Sequence, residues 1–234
     1  MLRVEQVDAY YGLSHVLQRV SLSVAPGEAV ALLGRNGAGK TTTLKTIMGV
    51  VRARRGRITW NDDDVTALSP YRIVRLGIGY VPEERRIFPN LTVYENLKMA
   101  RLAVDGGRHM DDYLDRVLAL FPPLKQRLTN KGRNLSGGEQ QMLTMARSLG
   151  TEPKLLLIDE PTEGLMPAFV ETIGETIVEI QRQGLAVLLV EQNTRLALAA
   201  TQRVYFLEKG AIKHEGTSSE LAHDHAVRQR YLGV

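Results

Sequence analysis

The sequence of 234 residues contains no cysteine. It therefore holds no disulfide framework, no thiolate nucleophile and no zinc site built on cysteine, and it fits a reducing compartment. Aromatic residues make up only 6% of the chain, and none interleaves with its basic clusters. A surface that stacks nucleic-acid bases is for this reason not predicted.

Long apolar runs are also missing. The longest, such as residues 29–33 and 185–190, are far shorter than the roughly 18 residues that a membrane-spanning helix needs. Residues 1–8 alternate apolar and charged side chains, which is typical of a β-strand and not of a secretory signal. We expect a soluble chain that works at a membrane only by docking on another subunit.

The charge of the chain is mildly basic. Thirty Lys and Arg residues against 26 Asp and Glu residues give a net charge of +4. The arginines cluster at Arg52, Arg54, Arg55 and Arg57 and again at residues 85–86. We interpret these clusters as a solvated rim near a phosphate-binding site, with nucleic-acid binding as the less favoured alternative.

Strand-length apolar runs alternate with helix-length amphipathic segments, which predicts a mostly parallel sheet covered by helices, an α/β fold. Strands are predicted at residues 1–8, 20–24, 28–33, 56–60, 154–159, 185–190 and 203–207, and core helices at residues 40–48 and 167–183. Further helices are predicted at residues 93–102, 110–120 and 137–149. We interpret the chain as one domain, with a core at about residues 1–83 and 152–234 and a helical insert at about residues 84–151.

Residues 34–41 read Gly-Arg-Asn-Gly-Ala-Gly-Lys-Thr and match the phosphate-loop pattern G-x-x-x-x-G-K-[ST]. Glycines allow a tight turn whose successive N–H groups point at phosphate oxygens. Lys40 supplies a positive charge to the outer phosphates, and the Thr41 hydroxyl is placed to bind Mg²⁺. A buried strand before the loop and a helix after it give the pattern its required context.

A second motif is the apolar run 155–158, which ends in Asp159 and Glu160. A strand buried on both faces delivers such carboxylates to the carboxyl edge of the sheet, where ligands bind in these folds. We expect Asp159 to reach Mg²⁺ and Glu160 to polarise the attacking water.

A third motif is Leu-Ser-Gly-Gly-Glu-Gln at residues 135–140. Ser136 and two glycines ahead of a helix form an N-terminus suited to an anion. A simple capping box between Ser136 and Glu139 explains the same residues locally. Two phosphate-binding segments so far apart in one chain suggest that two copies share each nucleotide.

Together these motifs resemble the ATP-binding subunits of ABC transporters over nearly the whole chain. The resemblance implies a P-loop NTPase fold of the ABC ATPase type, with a RecA-like core, an N-terminal antiparallel β part and a helical insert. It also implies a head-to-tail dimer whose subunits sandwich ATP and Mg²⁺. The implied ATP-binding residues are Tyr11, Gly34, Asn36, Gly37, Ala38, Gly39, Lys40, Thr41, Thr42, Ser136, Gly137, Gly138 and Glu139.

The resemblance also implies the other roles in the site. Thr41, Glu83 and Asp159 would hold the metal, and Glu160 and Gln192 would act in catalysis. Tyr11 would stack on adenine, whereas its residue type alone favours ordinary packing.

Smaller motifs are similar to those of importers for branched-chain amino acids, and specifically to the second of their two ATPase subunits. These motifs lie at residues 81–83, 86–92, 95–97, 163–165, 190–193 and 231–233. Residues 160–164 resemble urea importers as much, which leaves an importer of urea or of another polar amino acid or amide as the alternative. A nucleic-acid-associated ABC ATPase is a remote alternative, since the chain has one phosphate loop and no sustained heptads.

The resemblance implies several partners. They are a second ATP-binding subunit or a second copy of this chain, transmembrane permease subunits and, indirectly, a solute-binding protein, with no nucleic acid. The subunit would lie on the cytoplasmic face of the cell membrane. We place the permease contact between Glu83 and Leu97, at the start of the helical insert.

Three positions depart from the family pattern. Glu83 stands where glutamine is usual, Gln192 where a histidine is usual, and Met166 where an aspartate is usual. An amide forms hydrogen bonds but carries neither a proton nor a charge. We therefore expect slow hydrolysis by a homodimer and faster hydrolysis beside a histidine-bearing sister subunit.

Overall fold

The computed structural model of the protein describes residues 1–105 and 109–223. Its strands are β1 (Leu2–Tyr11), β2 (Ser14–Val24), β3 (Ala29–Leu33), β4 (Ala53–Trp60), β5 (Asp63–Asp64), β6 (Ile78–Val81), β7 (Leu155–Asp159), β8 (Ala186–Glu191), β9 (Arg203–Glu208) and β10 (Ala211–Thr217). Its α-helices are α1 (Lys40–Ile47), α2 (Pro70–Arg75), α3 (Val93–Asp105), α4 (Met110–Leu120), α5 (Pro122–Lys125), α6 (Gly137–Leu149), α7 (Pro167–Arg182), α8 (Thr194–Ala200) and α9 (Ser218–His223). A 3₁₀ turn, Gly132–Asn134, precedes α6.

The strands form two sheets. The first is antiparallel, with the strand order β2-β1-β4-β5, and the second has the order β10-β9-β3-β8-β7-β6. In the second sheet β9, β3, β8, β7 and β6 run parallel, and β10 is an antiparallel edge strand. The predicted α/β class, with an antiparallel β part at the N-terminus, is confirmed.

The central strands are fully buried because both faces of the parallel sheet are covered. Every residue of β3, β7 and β8 is buried. Along β7, Leu155 and Leu157 pack into the core shared with the antiparallel sheet and α1, while Leu156 and Ile158 pack into the core under α3, α4, α6 and α7. This alternation is the two-residue period of a strand between two apolar layers.

The segment between β6 and β7 carries helices α3 to α6. The predicted helices 110–120 and 137–149 coincide with α4 and α6, and the helix predicted at residues 93–102 extends to Asp105. The limits of the helical insert as a unit, about residues 84–151, stay a prediction. Within the part of the chain that the structure describes, no helix is long and apolar enough to cross a membrane.

Several short elements escaped the sequence prediction. Strand β6 has four residues, and α2 and α8 have six and seven, so each gives too short a periodic pattern. Strand β10 lies at a sheet edge, and none of its residues is buried. The antiparallel pairing of β1 with β2 begins at Tyr11 and Ser14, earlier than the strand predicted from residue 20.

Candidate functional site

The phosphate-loop segment joins the end of β3 to the start of α1, as the pattern requires. Gly37 and Gly39 have φ angles of 76° and 107°, in the left-handed region that favours glycine. A Cβ atom on Gly34 would lie 2.3 Å from the carbonyl oxygen of Leu207, so only glycine fits there. Asn36 is exposed, whereas Ala38 and Thr42 are buried. The loop is thus shaped by backbone conformation and close packing.

Lys40 is 4% exposed, and its ammonium group is surrounded by oxygens. It donates hydrogen bonds to the carbonyl oxygens of Gly34 at 2.9 Å and Arg35 at 3.3 Å. Its Nζ atom also lies 3.0 Å from Oε1 of Glu160. The structure therefore brings the lysine of the first motif against the glutamate of the second.

Asp159 ends β7 and is fully buried. Thr41 Oγ1 donates to its Oδ1 at 3.0 Å, and the Tyr80 hydroxyl donates to its Oδ2 at 3.0 Å. Burial raises the pKa of the Asp159 carboxyl above its ordinary value, against the lowering effect of these two hydrogen bonds. A carboxylate beside a threonine hydroxyl is a pair of hard oxygen donors that fits Mg²⁺.

Tyr80 is a site residue that the sequence analysis missed. Burial, followed by the charge of Asp159, raises the pKa of its phenol, so Tyr80 stays protonated and acts as a donor. The sequence carried only a weak indication of this role, because Tyr80 is one aromatic residue in a strand of four residues, two positions before Pro82.

Glu160 follows β7 with a φ angle of 41°, which is uncommon for a residue with a side chain. Its backbone N–H donates to the carbonyl oxygen of Val190 at 2.9 Å. Gln192 Nε2 donates to the second oxygen of the Glu160 carboxylate. The two predicted catalytic residues, 32 positions apart, are therefore in direct contact.

More carboxylates gather beside Glu160. Partial desolvation raises the pKa of the Glu163 carboxyl, although the residue is exposed, and the neighbouring charges of Glu160 and Glu83 raise it further. Arg85 Nη2 donates to the backbone carbonyl of Glu163 at 3.3 Å. Glu83, the predicted metal residue, thus lies at the same edge of the sheet as Glu160.

The third motif forms the start of α6. Ser136 accepts from the backbone N–H of Glu139 at 3.3 Å, and Glu139 Oε2 accepts from the N–H of Ser136 at 2.8 Å. Arg127 holds the other oxygen of Glu139 at 2.9 Å. The predicted capping box is present. Among the described residues, no hydrogen bond joins Ser136–Glu139 to the phosphate loop.

Three further predicted residues take no part in these hydrogen bonds. Tyr11 is 49% exposed at the end of β1, so it is not part of the buried core, and its stacking on adenine stays a prediction. Gly137 is half-buried beside Arg85, and Gly138 is covered by the ring of Phe169. The motif at residues 231–233 lies outside the described residues.

A groove of about 450 Å³ lies between the parallel sheet and the helical segment, next to Tyr80. Arg147 crosses it, donating to the carbonyl oxygen of Arg86 at 2.6 Å and stacking over the Phe88 ring at 4.4 Å. Phe88 is 41% exposed and Met99 is 44% exposed at its rim. The groove therefore presents an apolar surface that includes residues of the segment between Glu83 and Leu97 and of the remainder of α3.

Comparison with known proteins gives a consistent result. A family model described as "ABC transporter" matches residues 17–163. The branched-chain amino acid transport ATP-binding protein BraG of Pseudomonas aeruginosa is 44% identical over all of both chains. The lipopolysaccharide export ATP-binding protein LptB of Escherichia coli K12 is 39% identical over 96% of this chain and 93% of its own. A solved ATP-binding subunit of an ABC transporter is 31% identical, covers 100% of this chain and 96% of its own, and superposes with a TM-score of 0.84.

Proposed function

The chain belongs to the ABC transporter family of ATP-binding proteins, and we propose that it is the ATP-hydrolysing subunit of an importer for branched-chain amino acids. The observation that carries the activity is the convergence of Lys40, Asp159 and Glu160 at one edge of the sheet. The substrate class is supported by the 44% identity with BraG over the full chain. A urea importer is the alternative left by residues 160–164, and lipopolysaccharide export is the alternative raised by LptB.

In the proposed site, Lys40 and the N–H groups of residues 34–41 hold the phosphates of ATP. Thr41 and Asp159 hold Mg²⁺, with Glu83 as a further oxygen donor from the neighbouring strand end. When bound, the metal neutralises charge on the phosphate oxygens. Glu160 accepts a proton from the attacking water, and Gln192 orients the Glu160 carboxylate.

The contact between Lys40 and Glu160 suggests how nucleotide binding prepares the site. The lysine ammonium has three N–H donors, and the structure supplies three acceptors: two loop carbonyls and the Glu160 carboxylate. A phosphate oxygen that binds Lys40 must replace one of these acceptors. Replacement of Glu160 frees its carboxylate to accept a hydrogen bond from water.

The proposed assembly is a head-to-tail pair of ATP-binding subunits, either two copies of this chain or this chain with a related sister subunit. Ser136 to Glu139 of one subunit would complete the site of the other. The pair would dock on permease subunits at the cytoplasmic face of the cell membrane, through the groove at Arg86, Phe88 and Met99. A solute-binding protein would deliver the substrate to the permease.

An uptake assay with a deletion strain tests the proposed substrate. Uptake of labelled leucine, isoleucine and valine should fall and return with the wild-type gene, but not with a Glu160→Gln gene. Loss of urea uptake with unchanged leucine uptake would replace the proposed substrate with urea. Unchanged uptake together with defective lipopolysaccharide export would assign the chain to an exporter.

The permease contact is tested at Arg86, whose side chain is 68% exposed beside the groove. Arg86→Glu should abolish leucine uptake while ATP hydrolysis by the isolated protein is retained, because the Arg86 side chain donates its hydrogen bonds to Glu84 and not to Lys40, Asp159 or Glu160. Arg182→Glu on α7, at a side chain 71% exposed, is the matched control and should leave uptake intact. Normal uptake by Arg86→Glu would place the permease contact elsewhere.

A further inference from the structure

Glu191, the last residue of β8, is a buried carboxylate to which the sequence analysis gave no role. It is 3% exposed and follows five apolar residues of the same strand. One carboxylate oxygen accepts from the hydroxyl and the backbone N–H of Thr162, at 2.6 and 3.3 Å. The other accepts from the backbone N–H groups of Gln192 and Asn193, at 3.0 and 3.1 Å.

These hydrogen bonds join two loops that leave neighbouring parallel strands. Thr162 lies two residues after Glu160 in the loop that follows β7, and Gln192 begins the loop that follows β8. One carboxylate oxygen of Glu191 accepts hydrogen bonds from the loop after β7, and the other accepts them from the loop after β8. A single side chain therefore sets the separation between the two loops. The Gln192 amide then reaches the Glu160 carboxylate across the same gap.

A buried carboxylate at this position carries a free-energy cost, because its charge is removed from water. All four donors are neutral groups, a hydroxyl and three backbone N–H groups. Burial raises the pKa of the Glu191 carboxyl, and the hydrogen bonds from Thr162, Asn193 and Gln192 oppose that rise. An apolar residue would continue the pattern of β8 without this desolvation cost. The polar side chain is explained by the geometry that it imposes on the two loops.

We propose that Glu191 is a positioning residue for ATP hydrolysis, holding the loop of Gln192 against the loop of Glu160 so that the two side chains meet. The proposal rests on the catalytic roles assigned to Glu160 and Gln192 under the proposed function. Glu191 itself contacts neither the phosphate loop nor Lys40 through any of its four hydrogen bonds. Its loss should therefore act on turnover and leave nucleotide binding unchanged.

The test measures kcat and KM for ATP in the purified full chain. Glu191→Ala should lower kcat by about 10- to 100-fold, the range expected when hydrogen bonds to a charged group are lost, with KM within about twofold. Glu191→Gln should retain more activity than Glu191→Ala, because its oxygen accepts from the Gln192 and Asn193 N–H groups and its NH₂ donates to the Thr162 hydroxyl, so that only the 3.3 Å bond from the Thr162 N–H is lost.

Thr162 provides a second route that leaves the carboxylate in place. Thr162→Val should lower kcat, whereas Thr162→Ser keeps the hydroxyl and should retain a kcat near that of the wild type. Thr176→Val is the matched control, since Thr176 is a buried threonine whose hydroxyl bonds Thr172 within α7. Equal losses in Thr162→Val and Thr176→Val would indicate a general packing effect and overturn the proposal.

A double-mutant cycle separates positioning from general destabilisation. If Glu191 acts through Gln192, then Glu191→Ala should cost little further kcat in a Gln192→Ala background, because coupled residues are not additive. Fully additive losses would overturn the proposal. Amide hydrogen exchange should also rise at Thr162, Gln192 and Asn193 in Glu191→Ala, and unchanged exchange at all three would count against it.

The same experiment distinguishes failure of this proposal from failure of the proposed function. A wild-type chain without ATPase activity, or a Gln192→Ala variant with normal kcat, would remove the catalytic assignment on which the proposal rests. A reduced kcat in Gln192→Ala together with a normal kcat in Glu191→Ala would overturn the role of Glu191 alone.

Discussion

The edge of the parallel sheet and the start of α6 both carry predicted phosphate-binding motifs. They differ in whether the contacts of those motifs join distant parts of the chain or stay within one turn. At the edge of the parallel sheet, Lys40, Asp159 and Glu160 are at most 8% exposed. Their contacts involve residues at or after the ends of four strands, β3, β6, β7 and β8. At the start of α6, Ser136 is exposed, and its polar groups bond within their own turn. The first region, the proposed catalytic edge, brings the proposed reaction-centre residues into direct contact within one chain, whereas the second is a capped helix start whose proposed role needs another subunit.

This difference follows from the topology. Parallel strands bring residues distant in sequence to one edge, so their side chains contact one another within a single chain. A capping box satisfies itself with two residues three positions apart. ATP hydrolysis should therefore respond to substitution at the proposed catalytic edge through contacts within one subunit, and to substitution at the helix start only through the assembled pair.

The largest effect is expected at the catalytic edge. Glu160→Gln keeps the side-chain volume but removes the proton acceptor, so kcat should fall by about 100- to 10,000-fold while ATP binding is retained. Phosphate release and calorimetric titration with ATP measure the two properties. Hydrolysis at the wild-type rate would show that the reaction centre does not depend on the Glu160 carboxylate.

The next effect tests the helix start. A Cβ atom on Gly138 would lie 2.3 Å from the Phe169 ring, so Gly138→Ala overpacks the contact between α6 and α7 by about 1–3 kcal/mol. We expect reduced hydrolysis by the assembled pair with unchanged ATP affinity of the single subunit, measured by steady-state assay and titration.

Two variants sharpen that result. Phe169→Leu should relieve the overlap and restore hydrolysis to Gly138→Ala. Gly174→Ala on α7 is the control, because its Cβ would approach only the flexible Leu196 side chain, at 3.2 Å. Weaker ATP binding by isolated Gly138→Ala would contradict the division between the two regions.

A gain of activity is expected at Gln192. Gln192→His replaces the neutral amide donor to Glu160 with an imidazole that carries a positive charge when protonated, so kcat should rise by about tenfold, the order of the gain when a neutral donor to a carboxylate becomes a charged one. Steady-state hydrolysis from pH 6 to 9 measures it, and the added activity should follow the titration of the imidazole. An unchanged or lower kcat would show that the amide already serves this site fully.

The smallest effect concerns stability. Ser136→Ala removes one half of the capping box, which should cost about 1 kcal/mol and lower Tm by about 2–4 °C for a chain of this size. Ser69→Ala is the control, since Ser69 also precedes a helix but its side chain forms no capping hydrogen bond. Equal Tm values for Ser136→Ala and wild type would mean that the capping box contributes no stability to the free subunit.

Much of the fold was predictable because its central elements have strong patterns. Strand β7 consists of four apolar residues followed by Asp159, and α6 begins at a capping box and follows a helical period. The edge strand β10 and the short strand β6 were not predictable, because exposure or brevity removes the pattern. Tyr80, which stands on β6, was missed for the same reason.

The phosphate loop and the elements on either side of it follow from the amino-acid sequence alone. Glycine at residues 37 and 39 permits the left-handed turn, and the strand before it and the helix after it are local consequences of the residues present. The helix cap at Ser136 is equally local. Such features depend on residues only a few positions apart, so they can be deduced from sequence alone.

The contacts between side chains that are distant in the sequence, by contrast, depend on the folded arrangement of the strands. Tyr80 reaches Asp159 across 79 positions, Gln192 reaches Glu160 across 32, and Glu191 joins Thr162 across 29. These pairs exist because β6, β7 and β8 lie side by side in parallel, with their carboxyl ends at one edge. Strand order is set by packing of the whole sheet against its two apolar layers, and no local pattern in the sequence specifies it.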